Sequence, residues 1–386
     1  MIFTRIELQN WRNFTKADVP LAGRSFIVGP NASGKSNFLD AFRFLHDLVV
    51  EGGGLARAVE VRGGIARLRS LHQKGTNSNV GITVELADGD APRWWYRLEI
   101  NRDQGGAPVV RHEEVRRLNE ASEETVLSRP NGEDKADPRR LGQTAIQQLN
   151  ANREFRELAD FFASVLYLHV VPQLIREAQG PPAGAIGQDT LGRDLLDRMR
   201  DCNKRTLAAR LNRIQEILAV AVPQFEEIQL ETDDRGRPHL KAKFKHWRGN
   251  GAYQNEAQFS DGTLRLIGLL WAMQEKGGPL LLEEPELSLH SALLPKLPAF
   301  IQRARKAAGG RQVILSTHSE HMLSDPGIGA DEVLVATPSN SGSTVSLASS
   351  DEMIAVSMNQ AGLTAAEAVL PRTRAEQADL FDTLRP

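Results

Sequence analysis

The sequence predicts an α/β protein built on a mainly parallel sheet, and three observations carry that expectation. Between residues 262 and 318, stretches of helix length (262–274, 288–305) alternate with short apolar strands (280–282, 312–316). That is the pattern of parallel strands joined by crossover helices. An apolar run, Ser25-Phe26-Ile27-Val28, feeds directly into Gly29-Pro30-Asn31-Ala32-Ser33-Gly34-Lys35-Ser36, and a helix-like stretch from Asn37 to Val49 follows. Strand, glycine-rich turn and helix in that order form a phosphate-binding loop. Finally, Leu280-Leu281-Leu282 ends in Glu283-Glu284-Pro285-Glu286, a buried strand that delivers carboxylates to its end.

The remaining elements follow in order along the chain. Residues 2–8 alternate apolar and polar, a half-buried strand, and Gln9-Asn10-Trp11-Arg12-Asn13-Phe14 turns back toward the loop strand. Glycine clusters at 51–54 and 62–64 read as loops near a nucleotide. Stretches 80–86, 94–101 and 109–118 form an antiparallel meander. The polar segment 119–140, with its Pro-Asn-Gly turn, reads as a loop. Ile146, Leu149, Phe155, Leu158, Phe162 and Val165 recur at helical spacing across 144–166. A Pro/Gly loop at 179–187 leads to a second helical block, 191–220, where Leu207, Leu211, Ile214 and Leu218 line a short amphipathic seam. Strands return at 226–231 and 239–244. A hairpin (332–336 and 344–348) and one or two helices close the chain. The expected division is an N-terminal lobe (1–118), a helical insertion (119–221), a C-terminal lobe (222–348) and a helical tail (349–386).

Composition excludes several classes. With 47 basic and 49 acidic residues the net charge is -2, so no global electrostatic footprint for nucleic acid exists, and only local patches remain. Block 193–213 holds seven basic and three acidic residues, and 239–248 is basic with aromatics. Either would suit a phosphate backbone, but a solvated charged face accounts for both more simply. One cysteine, Cys202, excludes an internal disulfide framework and fits a reducing cytoplasm. No apolar run reaches membrane-spanning length, and Met1 to Ile6 reads as a strand rather than a signal peptide, so the expectation is a cytoplasmic protein without membrane contact. The histidines and the cysteine show no zinc-ligand spacing.

The glycine-rich turn has a specific chemistry. Backbone N–H groups of Gly29 to Ser36 and the positive helix end would receive the β-phosphate of ATP, with Asn37 beside them. Lys35 would bridge β- and γ-phosphates, and the Ser36 hydroxyl would hold Mg²⁺. An acidic strand alone is equally well explained as a core strand ending in solvent. Two further signals change that. Phe259-Ser260-Asp261-Gly262-Thr263 places a serine and a glycine at a helix start, and Val313-Ile314-Leu315-Ser316-Thr317-His318 ends a later strand in a histidine. In this order and spacing, His318 reads as a sensor of the γ-phosphate.

These four motifs together resemble the ATPase head of ATP-binding-cassette proteins, in the group of RecF, the structural-maintenance-of-chromosomes (SMC) proteins and the overcoming-lysogenization-defect (OLD) nucleases. Residues 6–14 are similar to that group's first strand and turn, and Glu-Glu-Pro-Glu followed by Leu289-His290 is typical of its small stand-alone members. The resemblance covers about residues 1–118 and 222–348. It implies a P-loop NTPase of cassette-head type, with a mixed sheet core, an antiparallel meander and a helical insertion. It also implies ATP hydrolysis with Mg²⁺. Glu283 would take the metal-shell position, Glu284 would activate water, His318 would touch the γ-phosphate, and Lys35 would assist catalysis. Ser260 and Gly262 would complete the site of an opposite subunit, so the working unit is a dimer or higher homo-oligomer with ATP between heads.

Three departures stand out. The signature reads Ser-Asp-Gly rather than Ser-Gly-Gly, Glu283 replaces an aspartate, and no glutamine loop is legible; Gln73 lies 38 residues after Lys35 but reads as an unrelated loop residue. OLD relatives carry a nuclease domain with an Asp-x-Asp metal cluster, and no such cluster occurs after His318. The resemblance therefore points to the regulatory ATPase of a bacterial anti-phage system acting on a separate effector nuclease, with weak direct DNA binding. The alternatives are a RecF-like repair ATPase that clamps DNA and a non-hydrolysing ATP-gated scaffold.

Overall fold

The computed structural model describes residues 1–72, 78–119, 122–177, 189–245 and 252–373. Gln73, His246 to Arg248 and the Pro/Gly loop at 179–187 lie outside these residues.

The chain opens with β1 (Ile2–Trp11), β2 (Phe14–Pro20) and β3 (Arg24–Val28), followed by helices α1 (Lys35–Val49), α2 (Leu55–Glu60) and α3 (Ile65–Leu68). Strands β4 (Val80–Asp88), β5 (Ala91–Arg102), β6 (Pro108–Asn119) and β7 (Ser122–Arg129) come next, then α4 (Gly132–Ala136), α5 (Arg156–Ala163), β8 (Leu166–Leu168) and α6 (Pro172–Arg176). After α7 (Leu195–Arg200) and α8 (Lys204–Ala221) come β9 (Phe225–Thr232), β10 (Pro238–Phe244) and β11 (Ala252–Asn255). The last part contains α9 (Asp261–Gln274), β12 (Leu280–Glu283), α10 (Leu297–Ala307), β13 (Val313–Thr317), α11 (Glu320–Leu323), β14 (Val333–Thr337), β15 (Thr344–Leu347), α12 (Glu352–Asn359) and α13 (Ala365–Thr373).

Among the described residues these strands form three sheets. The first is antiparallel, in the order β2-β1-β4-β5-β6-β7, and contains the expected meander. The second, β15-β14-β3-β13-β12-β8, is parallel except for the β14–β15 hairpin. A small sheet, β11-β10-β9, makes the third. Side chains of the parallel strands point alternately to two faces, and each face has its own core. Ile27, Leu281, Ile314 and Leu334 join the core shared with α1 and the antiparallel sheet. Phe26, Val28, Leu280, Leu282, Val313 and Leu315 join the core under α9. A parallel sheet covered on both faces reads as near-continuous apolar sequence, which is why these strands were legible.

Three local expectations are corrected. The polar stretch 119–140 is not a loop: β7 pairs with β6, and Arg116–Glu123 (3.2 Å) and Arg117–Glu124 (3.1 Å) ion pairs line the edge. The first four residues of this edge strand, Ser122 to Thr125, are exposed and carry no apolar alternation, so the sequence looks like loop. The supposed helix 144–166 is α-helical only at Arg156–Ala163, after a 3₁₀ turn at Arg153–Phe155, and its end becomes β8, the outer parallel strand. The supposed helix 288–305 begins as a 3₁₀ segment containing Pro295, and α10 starts only at Leu297, because proline cannot donate the intrahelical bond. The seam on α8 faces inward: Leu211, Ile214 and Leu218 are buried in the chain's own core.

A charged cluster ties α1 to its surroundings. Asp40 accepts from Arg12 (2.8 Å) and Arg62 (2.9 Å), and Arg62 also reaches Asp47 (2.8 Å). Burial alone would raise the Asp40 pKa, but Arg62 and Arg12 hold it below the ordinary carboxylate value. Asp40→Ala should therefore leave Arg12 without its carboxylate and the buried Arg62 with Asp47 alone, and destabilise the fold by about 3 kcal/mol, measured by urea unfolding. The carboxylate's contribution is complete above its unfolded pKa of about 3.9 and fades as pH falls through the lower folded value. The gap between wild type and variant should thus close in acid.

Candidate nucleotide-binding site

The fully buried strand β3 delivers Gly29 to the edge of the sheet, and α1 begins six residues later at Lys35. Two glycines are fixed by close approach. A Cβ on Gly29 would stand 2.4 Å from the Ala336 carbonyl oxygen, and one on Gly34 (φ 100°) would stand 2.2 Å from the Asn13 amide. Ala32 also takes a left-handed φ of 64°, so the loop is held open rather than continuing as helix. Ser33 is buried and its hydroxyl lacks a hydrogen-bond partner. Asn31 and Ala32 are exposed at the tip, and Pro30 is partly so. Asn37 is directed elsewhere: its amide donates to Asn13 (3.0 Å), and its carbonyl accepts from the Trp11 indole (2.8 Å).

Lys35 is buried, and its ammonium donates to the carbonyls of Gly29 (2.9 Å) and Pro30 (3.1 Å). Two of three donors are occupied by its own loop, leaving one. Burial lowers its pKa, and Glu284, Glu286 and Glu283 act against that shift by stabilising the charge.

At the end of β12 the two glutamates diverge. Glu283 accepts from the Ser36 hydroxyl on one oxygen and from the Tyr167 hydroxyl on the other. Glu284 adopts φ 43°, its amide donating to the Ser316 carbonyl (3.1 Å), and its carboxylate meets His318 Nδ1 at 3.0 Å. A left-handed glutamate at a strand end marks stored strain of the kind concentrated at functional sites. Glu286 is buried, accepts from the Thr317 hydroxyl at 2.5 Å, and has its pKa raised, chiefly by burial. It anchors the turn after the strand.

Ser260 caps α9, accepting from the Thr263 amide (3.2 Å). Gly262 lies against the turn after Glu284: a Cβ there would stand 2.3 Å from the Ser288 carbonyl oxygen. Asp261, the departure from the usual signature, pairs with Arg176 (2.6 Å) and accepts from Gln173 (3.2 Å). Hydrogen bonds thus join Ser36 to Glu283 and Glu284 to His318, and Lys35 lies near enough for the glutamates to act on its charge. Ser260 and Gly262 make no hydrogen bond to the phosphate loop among the described residues.

The residues present fit a nucleoside triphosphate and a hard divalent cation. The glycine cradle, the unpartnered Ser33 hydroxyl and the start of a 15-residue helix suit phosphate. Ser36 and Glu283 supply the few oxygen donors that Mg²⁺ takes when phosphates complete its shell. Among the described residues no cluster of three or more His, Cys, Asp or Glu forms a separate metal site. No described helix is long and apolar enough to cross a membrane.

Sequence reasoning missed Tyr167, His169, Gln173 and Arg176, all on or just after β8. The run Val165-Leu166-Tyr167-Leu168-His169-Val170-Val171 before Pro172 has the β-branched and aromatic content of a strand. Val165 also continues the helical spacing of residues 146–162, which masks the strand.

Comparison with known proteins agrees with this geometry. Residues 24–324 match the family described as "AAA domain, putative AbiEii toxin, Type IV TA system". The DNA replication and repair protein RecF of Proteus mirabilis (strain HI4320) is 50% identical over 112 residues, which is 29% of this chain and 27% of RecF. Endonuclease GajA of Bacillus cereus (strain VD045) is 40% identical over 86 residues, 22% of this chain and 13% of that protein. The matches thus span about a quarter or less of those relatives. An Smc head bound to the C-winged helix domain of ScpA superimposes with a TM-score of 0.55 at 16% identity, covering 90% of this chain and 97% of that one. An Smc head with an extended coiled coil, bound to the C-terminal domain of ScpA derived from Pyrococcus furiosus, gives a TM-score of 0.50 at 13% identity, covering 89% and 96%. The chain belongs to this AAA-domain family, and its fold is that of an ABC-type ATPase head of the RecF, SMC and OLD group.

Proposed function

We propose that the chain binds ATP with Mg²⁺ and hydrolyses it to ADP and phosphate between two copies of the head. The observation that carries this reading is the divergence of Glu283 and Glu284, one toward Ser36 and the other toward His318. Lys35 would turn from its loop carbonyls to the phosphates. Glu284 would accept a proton from the attacking water, and His318, released from Glu284, would contact the γ-phosphate. The cation, held by Ser36 and Glu283, supplies neutralisation of charge on the phosphate oxygens. Phosphoryl transfer depends mostly on such positioning and charge stabilisation. Ser260 and Gly262, which do not reach the loop of their own chain, would complete the partner's site.

For the biological role we favour a cytoplasmic regulatory ATPase of an anti-phage system that controls a separate effector nuclease. The similarity to an endonuclease of Bacillus cereus supports it. The similarity to a DNA replication and repair protein favours a second reading, a repair ATPase that engages DNA itself.

Three measurements test these statements. Glu284→Gln should retain ATP and lose hydrolysis by about 10²-fold or more, whereas Lys35→Ala should lose nucleotide binding; near wild-type turnover by Glu284→Gln refutes the assignment. In light scattering, Glu284→Gln should associate or tighten with ATP and Mg²⁺, and an added Ser260→Arg should abolish that shift while leaving ATP binding intact. Salt titration of duplex binding separates the two roles. A regulatory ATPase binds weakly with a shallow slope, while tight binding with a log–log slope of about six or more marks a DNA-clamping enzyme.

A further inference from the structure

Glu283 carries one methylene more than the aspartate usual in its position, and a longer arm samples more rotamers. The structure holds it at three points. Ser36 donates to one carboxylate oxygen, Tyr167 donates to the other, and His169 Nδ1 lies 3.4 Å from the Glu283 backbone oxygen. Tyr167 and His169 leave the same strand end, because β8 runs parallel to β12 with Leu168 level with Leu282. The Tyr167 ring is itself fixed: the Arg43 guanidinium of α1 sits 5.6 Å from its centroid. Tyr167 therefore joins the helix that carries Ser36 to the strand that carries Glu283.

We propose that Tyr167 is a positioning residue for the divalent cation: its hydroxyl fixes the far oxygen of Glu283 so that the near oxygen faces Ser36. The inference rests on the ATP·Mg²⁺ reading above and adds to it the device that lets a glutamate serve there. Oxygen ligands of a metal are oriented by such outer hydrogen bonds, and losing one typically weakens metal binding by about 10- to 100-fold.

The test is equilibrium binding of a fluorescent ATP analogue to the full chain while MgCl₂ is titrated from an EDTA baseline. Tyr167→Phe keeps the ring beneath Arg43, so the melting temperature and the metal-free affinity should match wild type. The Mg²⁺ midpoint should rise by about tenfold or more. In a Glu283→Asp background, whose shorter arm does not span Ser36 and Tyr167, the same Tyr167→Phe change should leave the midpoint where it is. An unchanged midpoint in Tyr167→Phe, beside a normal Mg²⁺ dependence in wild type, overturns this inference alone. Equal shifts in both backgrounds also overturn it, since Tyr167 would then act without Glu283. Absence of Mg²⁺-dependent binding in wild type overturns the ATPase reading together with it.

Discussion

Everything at the site depends on sending two consecutive carboxylates in opposite directions from the end of one buried strand. Side chains in a strand alternate, so Glu283 and Glu284 cannot both face the same group while β12 remains regular. The backbone turns at Glu284 into a left-handed φ of 43°, and two hydrogen bonds from its amide to Ser316 hold it there. Glu283 is left against α1 and Glu284 against the end of β13. The strand beneath is rigid because Leu280, Leu281 and Leu282 are essentially inaccessible and paired on both sides. Without that rigidity the divergence would not be maintained.

The second requirement is electrostatic. Three glutamates, Glu283, Glu284 and Glu286, act on the buried Lys35 and favour its charge. Burial disfavours the lysine's charge and lowers its pKa, and the three carboxylates act against that shift. Glu286 is further removed from water, and burial raises its pKa against the opposing hydrogen bond from Thr317. Lys35 donates to the carbonyls of its own loop, and His318 pairs with Glu284.

The sheets set the distances between these groups. Strands β3, β12 and β13 are adjacent in one parallel sheet, so the phosphate loop, the acidic strand end and the histidine emerge along a single edge. Ligands of open α/β sheets sit outside the carboxyl ends of the strands for the same reason. The antiparallel sheet covers α1 from the far side through Phe3, Phe42 and Phe162, a cluster of ring contacts at 4.9 and 6.0 Å. The start of α9 meets the turn that follows Glu284 through the close approach of Gly262 to Ser288.

The sequence by itself determined the parallel strands, the phosphate loop and the order of the four motifs. These are encoded locally, by apolar runs buried on both faces and by glycines that no other residue replaces. Tertiary structure decided what local patterns do not carry. β7 is an exposed edge whose partner supplies its order, and β8 hides at the end of a helical periodicity until pairing with β12 extends it. Tyr167 and His169 acquire their place only through that pairing. The Asp261–Arg176 ion pair, 85 residues apart along the chain, is likewise set by packing. A residue's neighbours within a turn or a strand follow from spacing, whereas its neighbours across a sheet depend on which strands lie side by side, and that order is fixed only when the two cores close.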